Sequence, residues 1–366
     1  MTTYLVTGIT GQAGSYLADI LLAQPTIRVV GVRRRSSTNT SERISHHLDN
    51  PRLEIVEGDI TDYNSVYNII GKYQPEYLLN TAAQSQVGTS FHEPQHTMAA
   101  TGQSVYNILE SLRLLSPTTR FVQFSSSEMF GSNYNDGPGL GDFRWQDEST
   151  PFAPNSPYGI AKLAGYHYTR LYREAYGMFA ANAIMFNYES PRRGEYFVTQ
   201  KIAKYVRELN EWLQDFPASA TTPDVDFIVG NNGARFPKLR LGNLDAKRDW
   251  GFCRDYMEGV LKIAQYQEPD DFVLCTGETN SVSDFLDAAF GAVNISDWSQ
   301  YVVQDPKFMR PREVEFLLGS SRKAEDVLGW TPTTSFNELV EMMVHDQERT
   351  GLGLATGDGH SDVATT

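Results

Sequence analysis

The chain has 366 residues, with 31 Lys and Arg against 45 Asp and Glu, a formal net charge of −14 and 40% hydrophobic residues. That balance excludes a largely disordered chain, and the acidic excess excludes a general attraction to nucleic-acid phosphates or anionic lipid. An anionic ligand therefore has to meet a local basic cluster. Only two cysteines occur, Cys253 and Cys275, which support neither a disulfide framework nor a zinc site and read as core thiols in a reducing compartment. Met1-Thr2-Thr3 leads straight into an apolar run, and no stretch of about 18 apolar residues follows anywhere. The expectation is a cytoplasmic protein with no membrane segment, no metal and no nucleic-acid partner.

In chain order, apolar runs predict strands at 4–7, 29–32, 53–56, 77–80, 121–124 and 180–186, and amphipathic spacing predicts helices at 13–24, 62–73, 97–114 and 157–176. This βαβ alternation implies a Rossmann-like, doubly wound α/β fold with a parallel sheet of at least six strands. After about residue 190, stretches rich in Gly, Pro, Asn and Arg alternate with short elements. The expected division is a cofactor domain over 1–190, a smaller substrate lobe over 191–350 and a mobile tail over 351–366, with later segments free to rejoin the first domain. Residues 132–147 and 214–237 read as loops with little periodicity.

The first strand runs into Gly8-Ile9-Thr10-Gly11-Gln12-Ala13-Gly14, a Gly-x-x-Gly-x-x-Gly turn that opens a helix. Glycines there let the backbone approach a pyrophosphate, and the helix start offers free N–H groups and partial positive charge. The second strand ends in Arg33-Arg34-Arg35, where an acidic residue would suit NAD and arginine suits the 2′-phosphate of NADP. Three arginines at that one place in an acidic protein favour NADP; a solvated basic turn is the alternative. Asp59 and Ile60 after the third strand border the expected adenine site. Ala82, Ala83, Gln84 and Ser85 after the fourth supply small residues where backbone passes close to the cofactor.

Tyr158 and Lys162, four apart at the start of a predicted helix, share one face. A lysine beside a tyrosine favours the phenolate, so the tyrosine is expected to act as a base near neutral pH. Ser125-Ser126-Ser127-Glu128 lies at the carboxyl end of the fifth strand, where ligands bind in open α/β sheets. A hydroxyll there suits a substrate hydroxyl undergoing oxidation. Glu128 adds a carboxylate that simple dehydrogenation does not require and proton abstraction beside a carbonyl does. The alternative is a serine N-cap with a first-turn glutamate.

Together these motifs resemble the extended short-chain dehydrogenase/reductases, and the Ser-Ser-Glu segment resembles their nucleotide-sugar 4,6-dehydratases. Three further segments, 187–199, 241–251 and 310–319, are similar to the GDP-mannose 4,6-dehydratase family. The resemblance implies a hydro-lyase that takes GDP-mannose as substrate and keeps NADP+ through the cycle. It implies Ser126, Glu128, Tyr158 and Lys162 as the catalytic set, with Ser85 and Ser127 near the sugar. It further implies Asn187, Lys201, Arg248, Arg312 and Glu315 as substrate ligands, Tyr188 and Arg193 as cofactor ligands, and a homodimer or homotetramer in which Arg193 reaches a cofactor across a subunit boundary. The family has threonine where Ser126 stands, aspartate where Ala13 stands, and histidine where Gln86 and Tyr188 stand. Ser126 keeps the hydroxyl, whereas Tyr188 alters a cofactor contact and is expected to loosen NADP. Two rivals stay open on the sequence: another nucleotide-sugar converter, such as an epimerase that has no use for Glu128, and a binding module without turnover.

Overall fold

Strands covered on both faces need mainly apolar runs, and the sequence supplies one in Ala180–Met185, every residue of which is buried and only Asn182 of which is polar. The computed structural model describes residues 1–136, 144–217, 226–309, 312 and 314–348, so the expected tail at 351–366 lies outside the described residues. The first half runs β1 (Thr2–Thr7), α1 (Gln12–Leu22), β2 (Ile27–Arg33), β3 (Leu53–Glu57), α2 (Tyr63–Tyr73), β4 (Tyr77–Asn80), α3 (Ser104–Leu115), β5 (Arg120–Ser126), α4 (Pro157–Tyr176) and β6 (Ala180–Met185). The second half runs β7 (Asn187–Glu189), α5 (Val198–Asp215), β8 (Phe227–Val229), β9 (Arg235–Pro237), β10 (Leu239–Leu241), β11 (Trp250–Phe252), α6 (Cys253–Gln265), β12 (Asp271–Leu274), α7 (Val282–Gly291), β13 (Val302–Gln304), α8 (Arg322–Leu328) and α9 (Phe336–His345).

Seven parallel strands form the main sheet in the order β12-β6-β5-β4-β1-β2-β3. The order reverses between β1 and β4, which opens a crevice at their carboxyl ends. One face is covered by α1 and α6 through Leu17, Leu21, Tyr256 and Val260. The other is covered by α2, α3 and α4 through Val66, Ile70, Ile108, Leu112 and Tyr172. The sheet thus gains one strand beyond the six predicted, and that strand, β12, comes from the second half of the chain.

Local chemistry explains the helix bounds. Ser156 caps α4 by accepting from Gly159 N at 3.0 Å, Pro157 occupies the first turn, and Gly177 ends the helix with φ +64°. Asp62 caps α2 in the same way. By contrast, α1 and α5 carry no side-chain cap at all. The helix predicted over 97–114 divides: a π-helical segment, Met98–Gln103, precedes α3. Gly102 there abuts α4, since a Cβ on it would stand 3.0 Å from Ala161 O, and the widened turn fits that approach.

Beyond β6, β7 and β11 pair in parallel, as do β10 and β13. Trp250 of β11 packs between Phe285 and Phe336 and joins α7 and α9 to this lobe. The segment expected to be a loop over 214–237 instead continues α5 to Asp215 and forms the antiparallel β8–β9 ladder. Short elements of two or three residues leave too little pattern to read. Within 132–147, Asn135 pairs with Trp145, and Asp147 accepts from both side chains. Residues 137–143 and 218–225 lie outside the description. Both cysteines are buried and free.

β12 is fastened by charge as well as by its ladder. Asp271 receives Arg173 Nη1 and Nη2 at 2.9 Å each and Asn182 Nδ2 at 2.8 Å. Burial acts to raise its carboxyl, but Arg173 and Asn182 hold it below the ordinary carboxylate value. A depressed carboxyl stabilises the fold above its unfolded pKa and loses that contribution as pH falls through the folded one. Asp271→Asn is expected to reduce unfolding free energy by about 3 kcal/mol at pH 7. In urea titrations the difference from the parent should shrink below about pH 4.

Candidate active site

The glycine turn brings backbone to backbone. A Cβ on Gly14 would lie 2.4 Å from Gly8 O, and one on Gly8, whose φ is +66°, would lie 2.9 Å from Thr81 Oγ1 and 3.1 Å from Ala82. α1 therefore starts against β1 and β4, its first turn uncapped and its N–H groups directed to the crevice mouth. Ala13 is buried in that turn, and Thr10 O accepts from Arg43 at 3.5 Å. Gln12 is committed elsewhere: its amide donates to Tyr188 O and accepts from Ser190 Oγ, both at 3.0 Å.

The three arginines separate in role. Arg33 bonds Ser41 Oγ at 2.9 Å and faces Glu57 at 3.7 Å. Arg34 and Arg35 are exposed and make no hydrogen bond or ion pair among the described residues. The Asp59 carboxylate closes on Thr61 N and Oγ1, and Ile60 lines a small depression beside it. Gln84 is tied through its backbone to Thr101 while its Oε1 is buried without a partner. Ala83 and Ser85 border a larger cleft.

That cleft, about 680 Å³, gathers residues from both halves of the chain. Ser126, Ser127, Glu128, Tyr158 and Lys162 line it from the first half, and Asn187, Tyr188, Arg193, Lys201 and Arg248 line it from the second half. Ser126 ends β5 and its Oγ accepts from Glu128 N at 3.2 Å. Burial pushes the Tyr158 phenol up to about 12; the Ser126 hydroxyl and Arg193 pull it down, and Glu128 pushes with burial. Burial also brings the Lys162 ammonium down to about 8. The expected tuning of the tyrosine by Lys162 differs in the structure. Nζ is 5.8 Å from the centre of the Tyr158 ring and donates to Phe124 O, so the cation acting on the phenol is Arg193.

At the other end, Asn187 Oδ1 is buried with no partner and offers an acceptor to a ligand. Lys201 donates to Arg240 O and sits 4.1 Å from the centre of the Phe308 ring. Arg248 is buried and donates to Lys247 O at 2.9 Å. Arg312 and Glu315 are not brought to the cleft: both are exposed and neither lines it. Glu315 O accepts from Lys247 N at 2.8 Å, which fixes its backbone beside Lys247 and leaves its side chain exposed. Their neighbours Arg310, Pro311 and Glu313 lie outside the description. Arg193 lines the cleft of its own chain, where it faces Glu189. Sequence reasoning missed Glu189, Tyr196, Phe197 and Phe308, all of which line the cleft. Only the aromatic run 196–197 and the position of Phe308 just before Arg310 could have signalled them.

Two imidazoles and a carboxylate also converge behind α1. His46 and His47 bond Asp19 Oδ1 at 2.8 and 2.7 Å, and Arg192 takes Oδ2 at 2.7 Å. These separations are those of hydrogen bonds; ligands around a shared tetrahedral ion stand about 3.3 Å apart.

An uncapped helix start pressed against two strand ends, unpaired arginines after β2 and orphaned acceptors at Gln84 and Asn187 fit a dinucleotide and a second, polar ligand. With Ser126, Tyr158 and Lys162 in the same cleft, these features define an extended short-chain dehydrogenase/reductase. Comparison with known proteins narrows the class. The model of the GDP-mannose 4,6 dehydratase family matches residues 5–222 and 219–343. GDP-mannose 4,6 dehydratase 2 of Arabidopsis thaliana is 40% identical over 352 residues, covering 93% of this chain and 86% of the relative. GDP-mannose 4,6-dehydratase of Sinorhizobium fredii is 38% identical over 365 residues, covering 93% and 95%. The solved structure of RMD from Pseudomonas aeruginosa, complexed with NADPH, shares the fold with a TM-score of 0.72 at 19% identity, covering 94% of this chain and 98% of that one. The chain belongs to the GDP-mannose 4,6-dehydratase family, whose members are hydro-lyases using a nicotinamide cofactor and a nucleotide-sugar substrate. Among the described residues no helix is long and apolar enough to cross a membrane.

Lys162 carries a stability signature. A buried lysine whose pKa is lowered destabilises the fold while the unfolded chain is protonated, and the cost fades as pH rises through the folded and then the unfolded value. Lys162→Met should therefore gain on the parent at pH 7. Across pH 7 to 10.5 the parent should recover roughly 3 kcal/mol relative to the variant in denaturant titrations, given 1.4 kcal/mol per unit.

Proposed function

We propose that this chain converts GDP-D-mannose to GDP-4-keto-6-deoxy-D-mannose and water, with NADP+ retained through the cycle. The reading includes a cytoplasmic homodimer or homotetramer whose product supplies GDP-deoxysugars such as GDP-fucose or GDP-rhamnose. The observation that carries it is a shared cleft in which Glu128, two residues beyond the end of β5, accompanies Ser126, Tyr158 and Lys162. Oxidation alone needs the last three; elimination needs the carboxylate.

In this reading Tyr158 takes the proton of the sugar 4-hydroxyl while the Ser126 hydroxyl holds that oxygen. A nicotinamide cofactor held at the glycine turn would supply the acceptor for the C4 hydride and its return to C6. The resulting 4-ketone acidifies the C5 proton; Glu128 removes it and passes a proton to the C6 hydroxyl, which leaves as water, and the proton taken up by Tyr158 balances reprotonation of C5 as hydride returns to C6. Lys162 donates to the Phe124 carbonyl and keeps α4 in register with β5, so that Tyr158 faces Ser126. Burial holds the phenol protonated, and the positive charge of an oxidised nicotinamide would favour its ionisation when the base is needed. Lys201, Arg248 and Asn187 are assigned to the nucleotide diphosphate and sugar. Arg312 and Glu315 are assigned to the same ligand by the resemblance alone, since neither lines the cleft.

Arg34 and Arg35 support NADP over NAD, because an unpaired guanidinium is suited to a 2′-phosphate. Arg34→Ser with Arg35→Ser is expected to weaken NADPH by about tenfold or more and to leave NADH within about twofold in fluorescence titrations.

Mass spectrometry of GDP-mannose incubated with the protein and NADP+ should show loss of one water. The same incubation with dTDP-, CDP- and UDP-glucose should not. Water loss only from another nucleotide sugar would discard the guanine assignment, and an isomer of unchanged mass would point to an epimerase. Glu128→Gln should retain NADPH and lose water elimination by about a thousandfold, and Tyr158→Phe should stop the first oxidation to a similar extent. An undiminished rate in either variant would refute the role assigned to it.

A further inference from the structure

The carboxylate of Glu189 takes no part in the steps above, yet it is buried in the cleft wall, where an uncompensated charge costs several kcal/mol. Its Oε2 receives the Thr199 hydroxyl at 2.6 Å and faces Arg193 Nε at 3.1 Å. Burial raises this carboxyl, while Arg193 and Thr199 pull it back. The Arg193 guanidinium carbon in turn lies 3.6 Å from the centre of the Phe197 ring and 5.8 Å from that of Tyr188. Its side chain is 14% exposed. With its inner edge on Glu189 and its face on Phe197, its two Nη groups make no hydrogen bond, and the guanidinium makes no ion pair with any other residue, among the described residues.

This arginine stands on a segment bound to the dinucleotide turn. Gln12, the first residue of α1, holds Tyr188 O and Ser190 Oγ, and Arg193 N donates to Ser190 O at 3.0 Å. A guanidinium pinned at one edge and stacked on a ring loses little further freedom when its outer edge meets an anion. The same guanidinium left loose in the cleft would pay that ordering cost on every binding event.

We propose that Glu189 is a positioning residue: it holds the Arg193 guanidinium against Phe197 so that the outer edge meets the phosphate-bearing cofactor, and it touches neither cofactor nor sugar itself. The inference rests on the cofactor reading above.

A double-mutant cycle on NADPH binding, followed by fluorescence of the whole protein, tests it. Arg193→Ala should weaken NADPH by about thirtyfold and Glu189→Gln by about tenfold. The combined variant should bind no more weakly than Arg193→Ala alone, because Glu189 acts through the arginine. Affinity for GDP, measured beside it, should stay within about twofold in all three, which a general loss of structure would not permit. Additive losses, or NADPH affinity in Glu189→Gln equal to the parent's, would overturn the proposal. Should Glu189→Gln fail to fold, Thr199→Val removes one donor to the carboxylate and leaves its charge. It is expected to weaken NADPH about threefold, and unchanged affinity there would count equally against the proposal. The cycle requires no turnover, so a failure of the dehydratase reading would appear in the mass of the product and leave these affinities intact.

Discussion

The closeness of α1 to the ends of β1 and β4 is the constraint on which the cleft is built. Gly14 stands where a single methyl group would collide with the carbonyl of Gly8, and Gly8 itself adopts a backbone conformation that other residues resist. This approach sets the height of the first helical turn above the sheet. Gln12 projects from that turn and carries the segment 188–190, which leads on to Arg193 and, through Glu189 and Thr199, to the start of α5. The position of the second half's wall is thus referred back to a glycine turn almost two hundred residues earlier in the chain.

Charge is handled differently at the structural and reactive ends. Asp271 and Asp19 are each buried beside opposite charge or hydrogen-bond donors, the first with Arg173 and Asn182, the second with Arg192 and two imidazoles. Their carboxyls are held low despite burial. In the cleft the matching is incomplete. Tyr158 and Lys162 are both pushed toward their neutral forms, and Asn187 and Gln84 keep unsatisfied acceptors. Groups left short of partners in a packed interior are where bound ligands complete the network.

Much of the sheet was legible because its signals are local and redundant. The strand at 77–80 and the helix at 157–176 match residue for residue, the first as an apolar run and the second because Ser156, Pro157 and Gly177 mark both ends. β12 went unseen since Asp271–Leu274 lies outside the regular strand–helix alternation of the first half and gains its place by pairing with β6. Tyr158 and Lys162 were readable from their spacing, but the direction of the lysine was not: that depends on the Phe124 carbonyl, supplied by a strand 38 residues upstream. Glu189 was invisible for the same reason. Its meaning lies in its contacts with Thr199 and Arg193, and in the stacking of Arg193 on Phe197, which a linear pattern does not record. Arg312 and Glu315 show the converse, motif residues whose backbone setting does not bring them to the cleft.

The late origin of β12 also governs how the protein is made. A chain emerging from the ribosome completes β6 well before β12 exists, leaving an apolar strand at an open sheet edge for the time taken to synthesise the intervening segment, on the order of ten seconds. Through that interval the half-finished sheet presents unpaired backbone and an uncovered row of alanine, isoleucine and methionine, a template for pairing with another nascent chain. Arrival of Asp271 and its capture by Arg173 and Asn182 close that edge, so the same ion pair that secures the finished sheet ends the period in which the growing chain is most exposed to misassembly.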